Sequence, residues 1–365
     1  MSADIYIALA LLQSTVFLLL IRFLDLYERE PLSVLAVMAA WGAVGAGLLS
    51  SAGNEAVAAM LPPRLEAALG SAISGPLVEE CAKGLALVVA FVLSHLALER
   101  FGFLEFEGVT DGIVYGAAVG LGFAFTEDLL YLWNYTSALG PETGLSAYLG
   151  RVDFFGVGQL YHPVYTGAFG VGLGLATWSR SWKGRIGFPI LGLAAAMLMH
   201  AVHNGLVNLV LVVRYGLEET AAWRGRMGFV PADLAVRMQA TADVAAAVSR
   251  LVDYAFVAAF FVAVCLWLLY QRRIIRLELE EEANRRLISH EEWELMPHYW
   301  RRSARYWKLL REGKLERWRL IKRVHNELVD LAFLKWRIRK VGGDWGQVER
   351  RRRRIANLRS QQVVE

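Results

Sequence analysis

The chain is poor in cysteine. Only Cys81 and Cys265 occur, far apart and each inside an apolar run, which excludes a disulfide framework and a thiolate metal site; both read as small core residues. The first apolar run also lacks a basic segment before it and a small-residue cleavage site after it, so it reads as a retained anchor rather than a signal peptide. No repeat of fixed period stands out.

Apolar residues, by contrast, are abundant. They make up 56% of the 365 positions, mean hydropathy is +0.36, and they gather into long blocks rather than a globular pattern. Crossing a bilayer takes about 20 such residues in a helix. Runs of that order occupy 5–23, 32–52, 71–97, 109–133, 155–178, 188–213 and 244–270, which predicts an all-α polytopic transmembrane bundle of seven to eight helices.

Charge divides the chain near residue 270. Residues 271–365 hold 25 Lys and Arg against 14 Asp and Glu, a net of +11, and the remainder is net −7. Basic residues mark the cytoplasmic side. The sequence therefore predicts a transmembrane domain over 1–270 and a basic, helical cytoplasmic tail over 271–365, with the RSWKGR loop (180–185) on the same side and the N-terminus outside. Trp293, Trp300 and Trp307 recur every seven residues and would share a helix face, interrupted at Pro297. Packing between tail helices is the plain reading of that face; contact with anionic lipid or a regulator is the sharper one. The Arg350–Arg354 run does not call for a nucleic acid, because a tail tethered to a membrane meets lipid phosphate first.

Charges also lie inside the apolar runs, where each costs roughly 2.5–3.5 kcal/mol on the mildest insertion scale. Glu79, Glu80 and Lys83 head the third run. The fourth carries Gly108, Gly112, Gly116 and Gly120 at intervals of four, a small-residue ridge that admits a close neighbour, and Glu127 falls on or beside that face. His162 opens the fifth run, and His200 and Asn204 share a face of the sixth. With alternating topology these groups lie on the order of 12 Å (Glu79), about 10 Å (Glu127 and His162) and about 20 Å (His200) below one membrane face, at 1.5 Å per residue. Taken singly, each has a packing explanation, and for His203, Asp128 and the interfacial His95 that explanation suffices. Taken together they form an inward ionisable cluster of the kind that works in membranes.

Carboxylates and imidazoles bind hard or borderline cations and move protons to and from water, and hydrolysis uses both abilities. Asn204 could donate to a developing oxyanion. No serine or cysteine forms a nucleophile arrangement with the histidines, so water is the expected nucleophile. A proton- or cation-coupled transporter can be built from the same groups, although transporters more often show internal repeats and broken helices at matching positions.

The motifs EECAK (79–83), FAFTE (123–127), the isolated His162 and HAVHN (200–204) resemble, in order, the EExxK, FxxxE, H and HxxxN/D motifs of the PrsW family of intramembrane proteases. The DGIVYGAAVGLGFAFTEDLLY surroundings and the early LDLYEREP (24–31) are similar as well. The resemblance spans about residues 25–210. It implies an intramembrane endopeptidase of the inner membrane, typified by cleavage of membrane-anchored anti-sigma factors, in a wider clan with CAAX prenyl proteases and bacteriocin-immunity proteins. By motif, Glu79 would be the base, supported by Glu80 and Lys83. Glu127 and His162 would position water or metal, and His200 with Asn204 would bind metal or the oxyanion. The implied metal set is Glu127, His162 and His200, holding zinc, with a metal-free glutamate-activated water as the other route. Two departures stand out: Asp128 replaces the family's usual Asn, and the tail lies outside the resemblance.

Overall fold

A computed structural model describes residues 3–27, 30–96, 106–225 and 228–363. It is 89% helix, and the described residues form no strand. Helix α1 spans Ala3–Leu24. Helices α2 (Leu32–Ala40) and α3 (Gly47–Met60) are joined without a break by a π turn, Trp41–Ala46. Then follow α4 (Pro63–Leu96), α5 (Val109–Leu139), α6 (Pro141–Val152), a short 3-10 segment (Phe154–Leu160), α7 (Tyr161–Thr177), α8 (Trp182–Tyr215), α9 (Leu217–Trp223) and α10 (Ala232–Asn284). The C-terminal part holds α11 (His290–Leu295), α12 (Tyr299–Arg311), α13 (Leu315–Val341) and α14 (Trp345–Val363).

All seven apolar runs fall on these helices, apart from Trp178, in the turn after α7, and residue 97, which lies outside the described residues. Four stretches are long and apolar enough to span a membrane: Leu32–Met60, Val109–Leu139, Trp182–Tyr215 and Ala232–Asn284. The other three runs fall short for visible reasons. Helix α4 carries Glu79, Glu80 and Lys83, α7 has 17 residues, and the apolar part of α1 is only Ala10–Phe23. The outward faces of three of the long stretches carry Leu48, Leu191, Leu198, Val213 and Leu266, all exposed, as a bilayer-facing surface requires.

Two compact units emerge. The first comprises Met1–Arg22, Glu30–Thr177 and Trp182–Phe261; the second comprises Phe23–Arg29, Trp178–Ser181 and Val262–Glu365. In the first, α5 packs on α7, α7 on α8 and α8 on α4. The glycine ridge explains the α5–α7 pairing. A methyl built on Gly112 would strike the Gly170 backbone, one on Gly116 would lie 2.6 Å from Thr166 O, and one on Gly120 would lie 2.5 Å from the carbonyl carbon of His162. Only hydrogen fits between these backbones. Tyr115 and Tyr165 are fully buried beside them, and Tyr115 Oη donates to Glu30 of the LDLYEREP segment at 2.5 Å. Glu28 and Arg29 of that segment lie outside the described residues.

The second unit has its own core of Ile275, Leu279, Val324, Leu328, Leu331, Val348 and Ile355. Fully buried Lys335 donates to Glu282 Oε1 at 2.7 Å and to the Glu278 carbonyl at 2.6 Å, and Arg352 donates to both Glu282 oxygens, at 2.6 and 2.9 Å. Three sequence expectations change here. Cys81 and Cys265 are exposed rather than core, because they sit on outward helix faces where apolar surroundings in sequence mean lipid. Trp293 leaves the shared face: α11 ends before Pro297, so Trp293 packs inward and donates to Arg276 O, while Trp300 and Trp307, seven residues apart on α12, are both exposed, Trp300 with its ring beside Phe23. The arginine run is largely spent within the unit, Arg350 on Asp344, Arg351 on Glu327 and Asp330, Arg352 on Glu281, Glu282 and Glu349, and Arg354 on Glu327.

Candidate active site

Helix α4 places Glu79, Glu80 and Lys83 on its inner side, where all three are buried. Lys83 Nζ donates to Glu80 Oε1 and lies 3.1 Å from His162 Nδ1. Its charge also stands 4.3 Å from the centre of the Phe123 ring. From α7, Thr166, one turn after His162, donates to Glu80 Oε2 at 3.2 Å. From α8, His200 Nδ1 lies 2.9 Å from Glu80 Oε1, and Asn204, the next turn on, puts its Nδ2 3.2 Å from His200 Nε2 and 3.3 Å from Ser71 O. Tyr165 stacks beneath the His200 ring at 5.4 Å.

Glu79 differs from its neighbour. Its Oε1 accepts from Asn54 of α3 at 3.1 Å, whereas its buried Oε2 accepts no hydrogen bond and faces His200 Nε2 across 3.7 Å. Because Glu80 is an acceptor at His200 Nδ1, the hydrogen of a neutral His200 belongs on Nδ1, which leaves Nε2 an acceptor for the Asn204 amide at 3.2 Å with Glu79 Oε2 at 3.7 Å. Glu127 lies on the far side of His162, with Oε2 2.8 Å from His162 Nε2, and it also accepts from Arg151. All seven residues expected from the motifs therefore join one connected cluster, Glu127 through His162. His203 and Asp128 hold structural partners as expected: His203 Nδ1 meets Asp253 at 2.9 Å, and Asp128 accepts from Arg151 Nε at 2.7 Å and from Gln159. His95 bonds the Phe91 carbonyl at the end of α4.

Sequence reasoning missed Asn54, Thr166, Gln159 and Arg151. A signal existed for Thr166, which stands four residues after His162, and for Asn54, a lone amide in an apolar helix. None existed for Arg151, which sits in a polar connection where an arginine is unremarked.

A profile described as PrsW family intramembrane metalloprotease matches residues 30–268. The chain belongs to that family. Comparisons with curated proteins and with solved structures return no match. Membership makes this an intramembrane protease in a lipid environment with a membrane-embedded protein substrate.

The metal implied by the family can be tested against the residues themselves. Glu79, His162 and His200 each offer a ligand atom within 4.8 Å of the others, and all three are buried. The partnerless Glu79 Oε2 and the Glu80-oriented His200 are what a cation needs from a first ligand and an oriented imidazole. The residues fit. This group differs from the Glu127, His162 and His200 set implied by resemblance, because Glu127 already serves Arg151. Both nitrogens of His162 are engaged, by Lys83 and by Glu127, so it would join a metal by exchanging one of them.

Proposed function

We propose that this PrsW-family member hydrolyses a peptide bond in a membrane-anchored protein, of the anti-sigma-factor type, with Glu79 as general base. The observation that carries this reading is the Glu79 Oε2 atom, buried, free of donors and 3.7 Å from His200 Nε2. Glu79 would take a proton from the attacking water and return it to the leaving amine, a role worth typically 10²–10⁴-fold in rate. Glu80 orients His200 and Lys83 by accepting from both. Asn204, whose amide reaches His200 Nε2 and Ser71 O, would donate to the oxyanion by exchanging one of them. If a divalent ion, zinc by ligand type, is bound, Glu79, His162 and His200 would hold it; Glu79 would then serve as a ligand in place of the base, and the ion would supply the activation of water and the polarisation of the scissile carbonyl.

The same reading assigns the protein to the inner membrane as a multi-pass chain of seven spans, with residues 1–270 as the protease domain and 271–365 as a cytoplasmic tail. The charge division near residue 270 and the outward apolar faces support it. The test measures bound metal and cleavage of a membrane-anchored peptide library together, on detergent-purified protein, Glu79→Gln and His200→Ala. Each variant is expected to keep its helical content and lose cleavage. Full activity in either removes that residue from the mechanism, and cleavage with no bound metal selects the glutamate-activated route. Neither cleavage nor metal in the unsubstituted protein would favour ion transport.

A further inference from the structure

The surroundings of Asp128 explain more than its own burial. It is 3% exposed, and a buried carboxylate requires a cation or several donors. Arg151, in the last turn of α6, supplies the cation through Nε at 2.7 Å, and Gln159 donates to the second oxygen. The guanidinium lies 4.2 Å from the centre of the Tyr131 ring. Three restraints thus fix one orientation of a planar group, and its remaining arm donates to Glu127 Oε2.

That oxygen is the one facing His162 Nε2. With Arg151 holding Glu127 as an acceptor, the hydrogen of a neutral His162 is placed on Nε2. Its Nδ1 is thereby left as an acceptor toward Lys83, which in turn donates to Glu80. We infer that Arg151 is a positioning residue of the active site: anchored by Asp128 and Tyr131, it clamps the Glu127 carboxylate on His162 and so sets the imidazole's hydrogen. The inference rests on the hydrolytic reading of the cluster for its effect on rate, but not for its effect on His162. It also gives Asp128 a purpose. An aspartate at 128 anchors the guanidinium with a charge that an asparagine would lack.

The test uses full-length protein in detergent and a fluorescence-quenched membrane-anchored peptide chosen by its cleavage. Arg151→Gln is expected to lower kcat about 10- to 100-fold, the usual loss for a partner one shell removed, with KM changed less than about threefold. Arg151→Lys, which keeps the charge, should recover part of that loss, and Asp128→Asn should lower kcat by less than Arg151→Gln does. Nitrogen-15 spectra of labelled histidines, with His162 assigned by its absence in His162→Gln, should show hydrogen on Nε2 in the unsubstituted protein and a mixture in Arg151→Gln. A kcat within about twofold of the unsubstituted value in Arg151→Gln overturns the inference. So does an unchanged His162 signal, or equal inactivity of the Gln and Lys variants with matching losses of melting temperature. If no peptide is cleaved while the His162 signal changes as stated, the hydrolytic reading fails and the clamp stands.

Discussion

Gly120 offers a direct way to displace the active site without touching a polar atom. A β-carbon built there would lie 2.5 Å from the carbonyl carbon of His162 and 2.6 Å from the nitrogen of Pro163. Carbon atoms pack comfortably at about 3.5 Å, so Gly120→Ala requires α5 and α7 to part by about 1 Å at the residue that links Glu127 to Lys83. Neither side can yield by a rotamer change, because both obstructing atoms are backbone. Overpacking of this kind costs about 1–3 kcal/mol, which leaves most molecules folded. A misplacement of about 1 Å in catalytic geometry costs on the order of 10²-fold in rate. The expected result is a folded, detergent-stable protein with cleavage reduced about a hundredfold. Gly187→Ala, where an added carbon meets nothing within 4 Å, is the control and should cleave normally. Unchanged cleavage in Gly120→Ala would refute the claim that the ridge sets the position of His162.

Two further tests address the second unit. Lys335→Met strands Glu282, itself fully buried, on one side of its ion-pair network, and should cost about 3–5 kcal/mol, read as lost hydrogen-exchange protection along α13; protection unchanged from the unsubstituted protein would show that Arg352 alone suffices. Acidification should weaken the same region. Burial holds His325 below the ordinary imidazole range, and although burial opposes it, the hydrogen bond from His325 and the charge of Arg359 keep Glu292 below the ordinary carboxylate range. Both groups bind protons more readily when unfolded. Stability is therefore complete above about pH 6.5, declines as pH falls through that value for His325, and declines further as Glu292 protonates. Exchange across α13, corrected for intrinsic rate, should be faster at pH 5.5 than at pH 7.5; equal or greater protection at the lower pH would contradict this.

The motif residues were legible because ionisable side chains in apolar helices are conspicuous. Arg151 was not, since its importance comes from a turn of chain that carries it back to α5, and nothing in local composition records that return. Cys81 misled for a related reason: an apolar neighbourhood in sequence does not distinguish a protein core from lipid. The tryptophan spacing holds for Trp300 and Trp307 on α12, but α11 ends before Pro297 and Trp293 is thereby turned inward. In α14 the density of arginine suggested a free basic surface, while the acids that neutralise it come from α10 and α13, far away in sequence.

The π turn at Trp41–Ala46 sets a phase. Trp41 Nε1 donates to Ala82 O at 3.0 Å and Thr126 donates to Ala43 O at 2.7 Å, so the widened turn is pinned to both α4 and α5. An α-helix advances roughly 100° per residue, and each residue added to or taken from a turn rotates everything beyond it by that angle. Asn54, in the helix that continues from this turn, meets Glu79 only at one such setting. The count of residues in an almost wholly apolar stretch thereby determines the hydrogen bond that orients the Glu79 carboxylate, so a single-residue deletion there acts as a rotation rather than as a loss of packing.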